Sequence, residues 1–507
     1  MSLDRRTFVR AGLSGLAATV SGVPLLLPTA ARAAGPVRTR LEKADKATID
    51  ALIAGVGVMK SRNPSDPRSW FFQAAVHGVT DAAFAAAQKK DPGVTDALRK
   101  RFWNKCPHGW PGQTAFSAEF ILWHRAYVYY FERILRAASK YDGFALPYWN
   151  YTGSDPKLRL LPEIFRDTSS VLYDGTRNAQ LNRGEIGLLD STVDTSSPFG
   201  ATNFFDTSTA AFAGSPVEPE FANQARMERV PHNRVHGAIG GNMGDPAKAG
   251  FDPVFWAHHC NIDRLWNVWA CLPNRSWGFV PSKAWLDATP WSFYDATGDA
   301  KSESRGYWTQ SPAALGITFD TDGSCRGLPP PTPGKTTRHA IDLLIDQERG
   351  ALVPLGVGSP VQLGTAATTK TVPVAGLKTG LQAFSVSSPE RLVLQLDGIT
   401  AGTGTNIVYD VYAGLPKGSA PDPKSPYRVG TIDFFHPADH GTGHGGSAFF
   451  DITALAKRPG FDSKHVDVTF QPVDLLGSVA EKTPVPRRAD GVTVKAVSVH
   501  AVTAKTF

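Results

Sequence analysis

The sequence predicts a mainly α-helical domain, a helix bundle, followed by a small antiparallel β-sandwich. Three observations predict it. Residues 36 to about 325 are rich in Trp, Phe and helix-compatible segments. The stretch RGLPPPTPGKTT at 326–337 is too proline-rich to propagate helix or strand and reads as a linker. From 338 to 507, short alternating runs such as RLVLQLDG, NIVYDVYAG and HVDVTFQPV stand between Gly, Pro and Asp turns.

At the N-terminus, residues 1–33 read as an export signal. Asp4-Arg5-Arg6-Thr7-Phe8-Val9-Arg10 holds a twin arginine, a weakly apolar stretch runs from Ala11 to Leu27, and Ala31-Arg32-Ala33 is a small-x-small cleavage site. Gly12, Gly15, Gly22 and Pro24 interrupt the apolar stretch, which is short for a membrane span, so no membrane anchor is expected. The twin-arginine route exports folded proteins to the periplasm or beyond, which suits a protein that takes up its cofactor in the cytoplasm.

Arg5, Arg6, Arg10 and Arg32 against Asp4 carry +3 of the formal net charge of +7, leaving about +4 after cleavage. No cluster of Lys and Arg with interleaved aromatics accompanies that mild charge, so nucleic acid is not expected as a partner. The four cysteines, Cys106, Cys260, Cys271 and Cys325, are too few and scattered for a disulfide framework.

Within the helical part, FSAEFILWHRAYVYYFERILRAAS at 116–139 has apolar residues at helical spacing and reads as a long, mostly buried helix. Asp252-Pro253 opens a second helix, FWAHHCNIDRLWNVW, with Asp as N-cap and Pro in the first turn.

Seven of the 13 histidines fall before residue 260, in two groups. The first is His77, His108 and His124. The second is His232, His236 and the pair His258-His259. His232 and His236 are four apart, so a helix sets both rings on one face. Adjacent residues on a helix diverge by about 100°, so only one of His258 and His259 aims at the same metal. Three imidazoles per group, with no Asp or Glu at ligand spacing, suit copper better than a carboxylate-bridged zinc pair.

WHRAYVYYFERIL (123–135), LPYWNY (146–151), PHNRVH (231–236) and DPVFWAHHCNIDRLW (252–266) resemble the CuA and CuB signatures of the tyrosinase and catechol-oxidase family. The resemblance implies a helix bundle around a type-3 dicopper site, with O2 as co-substrate. It implies His77, His108 and His124 as ligands of CuA, and His232, His236 and His259 as ligands of CuB. His258 then stands behind the ligands. Asp263, one helical turn after His259, either orients that imidazole or is a plain helix acid. The activity implied is oxidation of o-diphenols to o-quinones together with ortho-hydroxylation of monophenols. Small phenols are then the substrates, and a copper-delivery protein is an expected partner. WLDATPWSFYD (285–295) and VYDVYAG (408–414) are similar to segments of plant polyphenol oxidases, whose long, latent form carries a shielding C-terminal domain.

The resemblance also assigns finer roles. Cys106 stands two places before His108, as in fungal members with a thioether between the two positions. Glu228 and Asn233 match positions proposed to orient a water that deprotonates monophenols; either alternatively caps or solvates the helix of His232. The interval from His108 to His124 is longer than usual in the family. MGDPAKAG (243–250) lacks the plant gate phenylalanine, and the paired N-terminal cysteines of plant members are missing. Two rival readings stand beside this one: a hemocyanin-like oxygen carrier, and a copper-storage protein using His436, His440 and His444.

Overall fold

In the computed structural model, the described residues are 35–107, 117–206, 211–216, 225–321, 327–331, 352–375, 391–402, 405–435, 446–462 and 464–502. Among the helices of the helical part, those that frame the histidine groups are α1 Lys46–Ser61, α2 Trp70–His77, α3 Glu119–Ser139, α4 Arg234–Ile239 and α5 Val254–Ala270. Side chains start the first two: Asp45 accepts from Thr48 N and Ser69 from Phe72 N. α3 follows the expected long apolar segment and ends where Lys140 turns left-handed at φ 56°.

Packing explains why α3 is central. Its apolar face meets α1 at Gly55, where an added Cβ would come within 2.7 Å of Leu135, so only glycine lets the helices approach this closely. α5 also packs against α3. Its start differs from expectation by one residue: the helix begins at Val254, although Asp252 Oδ1 still accepts from Val254 N. The Asp252 carboxylate also receives Arg177 at 2.6 and 2.8 Å, a buried bidentate pair that fixes where α5 begins.

The C-terminal part contains two four-stranded antiparallel sheets. Its strands are β1 Leu352–Gly358, β2 Thr368–Pro373, β3 Arg391–Ile399, β4 Ile407–Ala413, β5 Arg428–Ile432, β6 Gly446–Asp451, β7 His465–Asp474 and β8 Ala496–Val502. One sheet has the order β2-β7-β4-β5 and the other β6-β3-β8-β1. Inward residues of both, among them Val411, Val468, Leu394 and Val499, form one apolar cluster, as alternation in the sequence requires.

Gly35–Phe507 forms one compact unit. Leu476–Ser478 pairs antiparallel with Gly187–Leu188 of the helical body, and Val408, Phe435, Leu475 and Leu476 belong to the helical body's core. Arg234 at the start of α4 donates to Asp410 of β4 at 2.9 Å, with both side chains buried. Of the 326–337 stretch, residues 327–331 are described, and Pro329 O accepts from Trp277 Nε1. Cys271 is held in a disulfide, whereas Cys106 and Cys260 are free and buried. No helix among the described residues is long and apolar enough to cross a membrane.

Candidate metal centre

His77 closes α2 and His124 sits in the first half of α3, both buried. His77 Nδ1 lies 2.8 Å from Pro246 O, and His124 Nδ1 lies 2.7 Å from Phe120 O. A carbonyl oxygen only accepts, so each Nδ1 carries the proton and each Nε2 keeps the lone pair that a metal takes. Ligand atoms of His77, Cys106 and His124 lie within 4.8 Å of one another, with Cys106 Sγ 3.5 Å from His124 Nε2. Burial, and then the Glu228 charge, pushes the Cys106 thiol well up. His108, the expected third ligand and thioether partner of Cys106, lies outside the described residues, as do His436, His440 and His444.

The second group comes from two elements. His232 lies in a wide helical turn, Glu228–Asn233, that is kinked at Val230 and runs into α4. His236 follows on α4, and His258 and His259 lie on α5. His232 Nε2 and His236 Nε2 stand 3.3 and 3.4 Å from His259 Nε2. His236 donates from Nδ1 to Met243 O at 2.7 Å, and His232 from Nδ1 to Asn233 Oδ1 at 2.6 Å. Burial holds His258 at about 3 and, with neighbouring imidazole charges, His259 well below the ordinary histidine value; both rings are neutral.

His258 belongs to the same cluster by distance, but its Nδ1 is 3.0 Å from the Tyr151 hydroxyl. Asp263 departs from the role of orienting His259. Its carboxylate receives Arg38 at 2.8 Å and Arg125 at 2.6 Å, a buried network tying the N-terminal segment to α3 and α5. The Nδ1 of His259 is buried without a hydrogen-bond partner among the described residues.

Glu228 and Asn233 are both buried beside the second group. Glu228 accepts from Ala225 N at 3.3 Å. Asn233 Nδ2 donates to Asp433 Oδ2 at 3.0 Å, which orients the amide so that its oxygen faces His232.

Asp433 and Phe435 come from the sandwich, just past β5, and sequence reasoning assigned neither. The Phe435 ring stacks on His236 with centroids 3.8 Å apart and planes at 21°, and lies 5.6 Å from His232. It is 2% exposed, deep in the helical body's core. Their only sequence signal was an apolar aromatic next to a histidine-bearing segment.

The two groups adjoin: His124 stacks on His259 at 4.2 Å, and Phe120 wedges between His124 and His232 at 4.7 and 4.5 Å. Nitrogens bound to one metal at about 2.0–2.1 Å sit roughly 3.3 Å apart at a tetrahedral angle, the spacing of the second group. Imidazole donors, with a cysteine beside the first pair and no carboxylate in either group, suit copper. The two groups fit a pair of copper ions.

Comparison with known proteins agrees with this geometry. The common central domain of tyrosinase matches residues 67–210 and 202–272, and a domain of unknown function matches 356–501. Tyrosinase HcTyr1 of Hahella sp. (strain CCB-MM4) is 35% identical over 267 residues, covering 47% of this chain and 54% of that protein. The latent chloroplastic polyphenol oxidase of Prunus armeniaca is 32% identical over 266 residues, 48% of this chain and 41% of the other. The chain thus spans about half the length of the curated relatives it matches. A solved latent aurone synthase (polyphenol oxidase) superposes with a TM-score of 0.54 at 22% identity, over 93% of this chain and 90% of that one. That likeness shows a shared fold.

Proposed function

We infer, from a chain whose residues 67–272 match the common central domain of tyrosinase, that it is a phenol oxidase using dioxygen at a pair of copper ions. The observation that carries this reading is the convergence of lone-pair nitrogens from His232, His236 and His259 beside His77 and His124 in a buried site. Residues 36–325 form the catalytic domain, 326–337 the linker and 338–507 the shielding domain. CuA is held by His77, His108 and His124, and CuB by His232, His236 and His259. When bound, copper supplies the redox couple through which dioxygen takes electrons from a phenol.

The protein's own groups do the rest. Carbonyls of Phe120, Met243 and Pro246 keep protons on the outer ring nitrogens. Phe435 lies flat on His236, where the ring of a small phenol has the same apolar and stacking surface to use. The sandwich is therefore a tethered lid: Phe435 competes with the phenol at high effective concentration. A monophenol needs an early deprotonation, and buried Glu228 and Asn233 are the polar groups placed to hold the water that accepts that proton. Asn233 instead holds Asp433 while the lid is closed. Such latency suits export through the twin-arginine signal, since quinones formed in the cytoplasm attack thiols and amines.

The test is a copper-loaded preparation. It should hold two copper ions per chain and convert catechol to o-quinone, consuming one dioxygen per two catechols. Quinone formation should rise after proteolysis within 326–337 with copper content unchanged. Two bound coppers with reversible oxygen uptake and no quinone would favour the oxygen-carrier reading instead.

A further inference from the structure

A cavity of about 610 Å³ opens along the seam between the helical body and the sandwich. Arg226 and Arg229 line it from the segment that leads into the second histidine group; Lys424 and Arg428 line it from the sandwich. Asp451 is the one carboxylate among the described lining residues.

These cations are poorly matched by acids. Arg226 donates to Ser197 O, a neutral acceptor, at 3.1 Å. Arg428 donates to Asp410 Oδ1 at 2.8 Å, but Arg234 draws on that same oxygen at 2.9 Å. The Nε of Arg428 is buried with no partner among the described residues. The Arg229 guanidinium makes no hydrogen bond or ion pair among the described residues. Its guanidinium reaches across the seam to Gly430, where an added Cβ would lie 3.2 Å from Nη1. Burial, then the charges of Arg428 and Arg226, lowers Arg229 to about 10. Cations gathered on both walls of a polar cavity repel one another unless an anion lies between them.

We propose that this cavity binds a tetrahedral oxyanion, a phosphate or sulfate group, which bridges the two bodies by accepting from Arg226 and Arg229 on one wall and Lys424 and Arg428 on the other. Guanidinium pairs match such oxygens bidentately, and lysine adds a point charge. The volume exceeds that of a bare ion, so a phosphate monoester also fits. The proposal does not draw on phenol chemistry and stands whether or not the chain oxidises phenols.

Calorimetric titration of the copper-loaded full chain with inorganic phosphate, and separately with glycerol 3-phosphate, tests this at ionic strength held constant with chloride. One saturable site per chain is expected. Tighter binding of the ester identifies an organic phosphate as the occupant class; tighter binding of the inorganic ion identifies the free anion. Arg229→Gln removes a charge-assisted donor and should weaken the site about tenfold or more. Lys424→Gln, at an exposed position, should weaken it a few-fold and keeps the test open should Arg229→Gln fail to fold. Absence of a saturable site overturns the proposal. So does phosphate binding that neither substitution weakens, the behaviour of an anion held at the copper ions.

Discussion

Replacing Phe435 by alanine should turn a closed site into one that admits small phenols. The ring is 2% exposed and stacked on His236. Full burial of a Phe side chain is worth about 1.5–3 kcal/mol, so its loss should raise the fraction of accessible sites roughly 10- to 150-fold. The sandwich itself should stay in place, because Arg234–Asp410 and Asn233–Asp433 still cross the seam. What the substitution leaves is a hole of about one phenyl ring, and apolar cavities of that kind take up benzene-sized molecules. The chain should meanwhile lose about 3–5 kcal/mol of stability, as buried Phe→Ala changes do. The assay is the initial rate at low catechol, repeated with a bulky 4-substituted catechol, alongside copper content. A rise of tenfold or more on catechol and a much smaller one on the bulky substrate is expected. No rise at unchanged copper content would refute the idea that Phe435 occupies the phenol position. An equal rise on both substrates would mean that the whole lid had come away.

Other perturbations address neighbouring residues. His259→Ala should remove one copper per chain and nearly all oxidation, whereas His258→Ala, which loses the Tyr151 hydrogen bond and ring packing on His232 and His236, should keep both coppers by atomic absorption; the opposite pattern would exchange their assignments. Asn233→Ala should depress monophenol hydroxylation more than diphenol oxidation, and an equal loss on both would mean that it only holds His232 in place. Asp263→Ala leaves Arg125 as a buried charge without a carboxylate, while Arg38 keeps Glu132, and should cost about 3–5 kcal/mol in denaturant unfolding, with little change in the ligand set of the remaining folded protein. Burial raises the Asp410 carboxyl, but Arg234 and Arg428 more than offset this and hold it below 3.8. Its contribution to the seam is therefore fully present above pH 3.8 and lost only as pH falls through the lower folded value. Titrating acid against activity should show no lid release near pH 5 from this group, and release at that pH that Asp410→Asn abolishes would contradict the sign.

Local pattern carried the long elements and most of the cluster into view. Apolar positions at helical spacing outlined α3, and the four-residue interval between His232 and His236 foretold their shared direction. Alternation in the C-terminal runs anticipated strands whose inward residues meet in one cluster. What the sequence hid depends on contacts distant along the chain. Asp263 looked like a partner for His259 one turn away, yet its partners are Arg38 and Arg125, 225 and 138 residues distant. Asp433 reaches Asn233 across 200 residues, and nothing periodic in the segment after β5 marks it. Phe435 is one aromatic among 28 phenylalanines until the fold sets it on His236.

The short segment Met243–Pro246 lies where a gate residue was sought and found absent. One of its carbonyls receives the outer proton of His236 and another, three residues on, that of His77. A single backbone stretch therefore steers one ring of each histidine group. Filling either site stiffens the strap that aims a ring at the other, so the two metals should load cooperatively. A change in this strap would detune both sites at once, a correlated loss that separate loops could not produce.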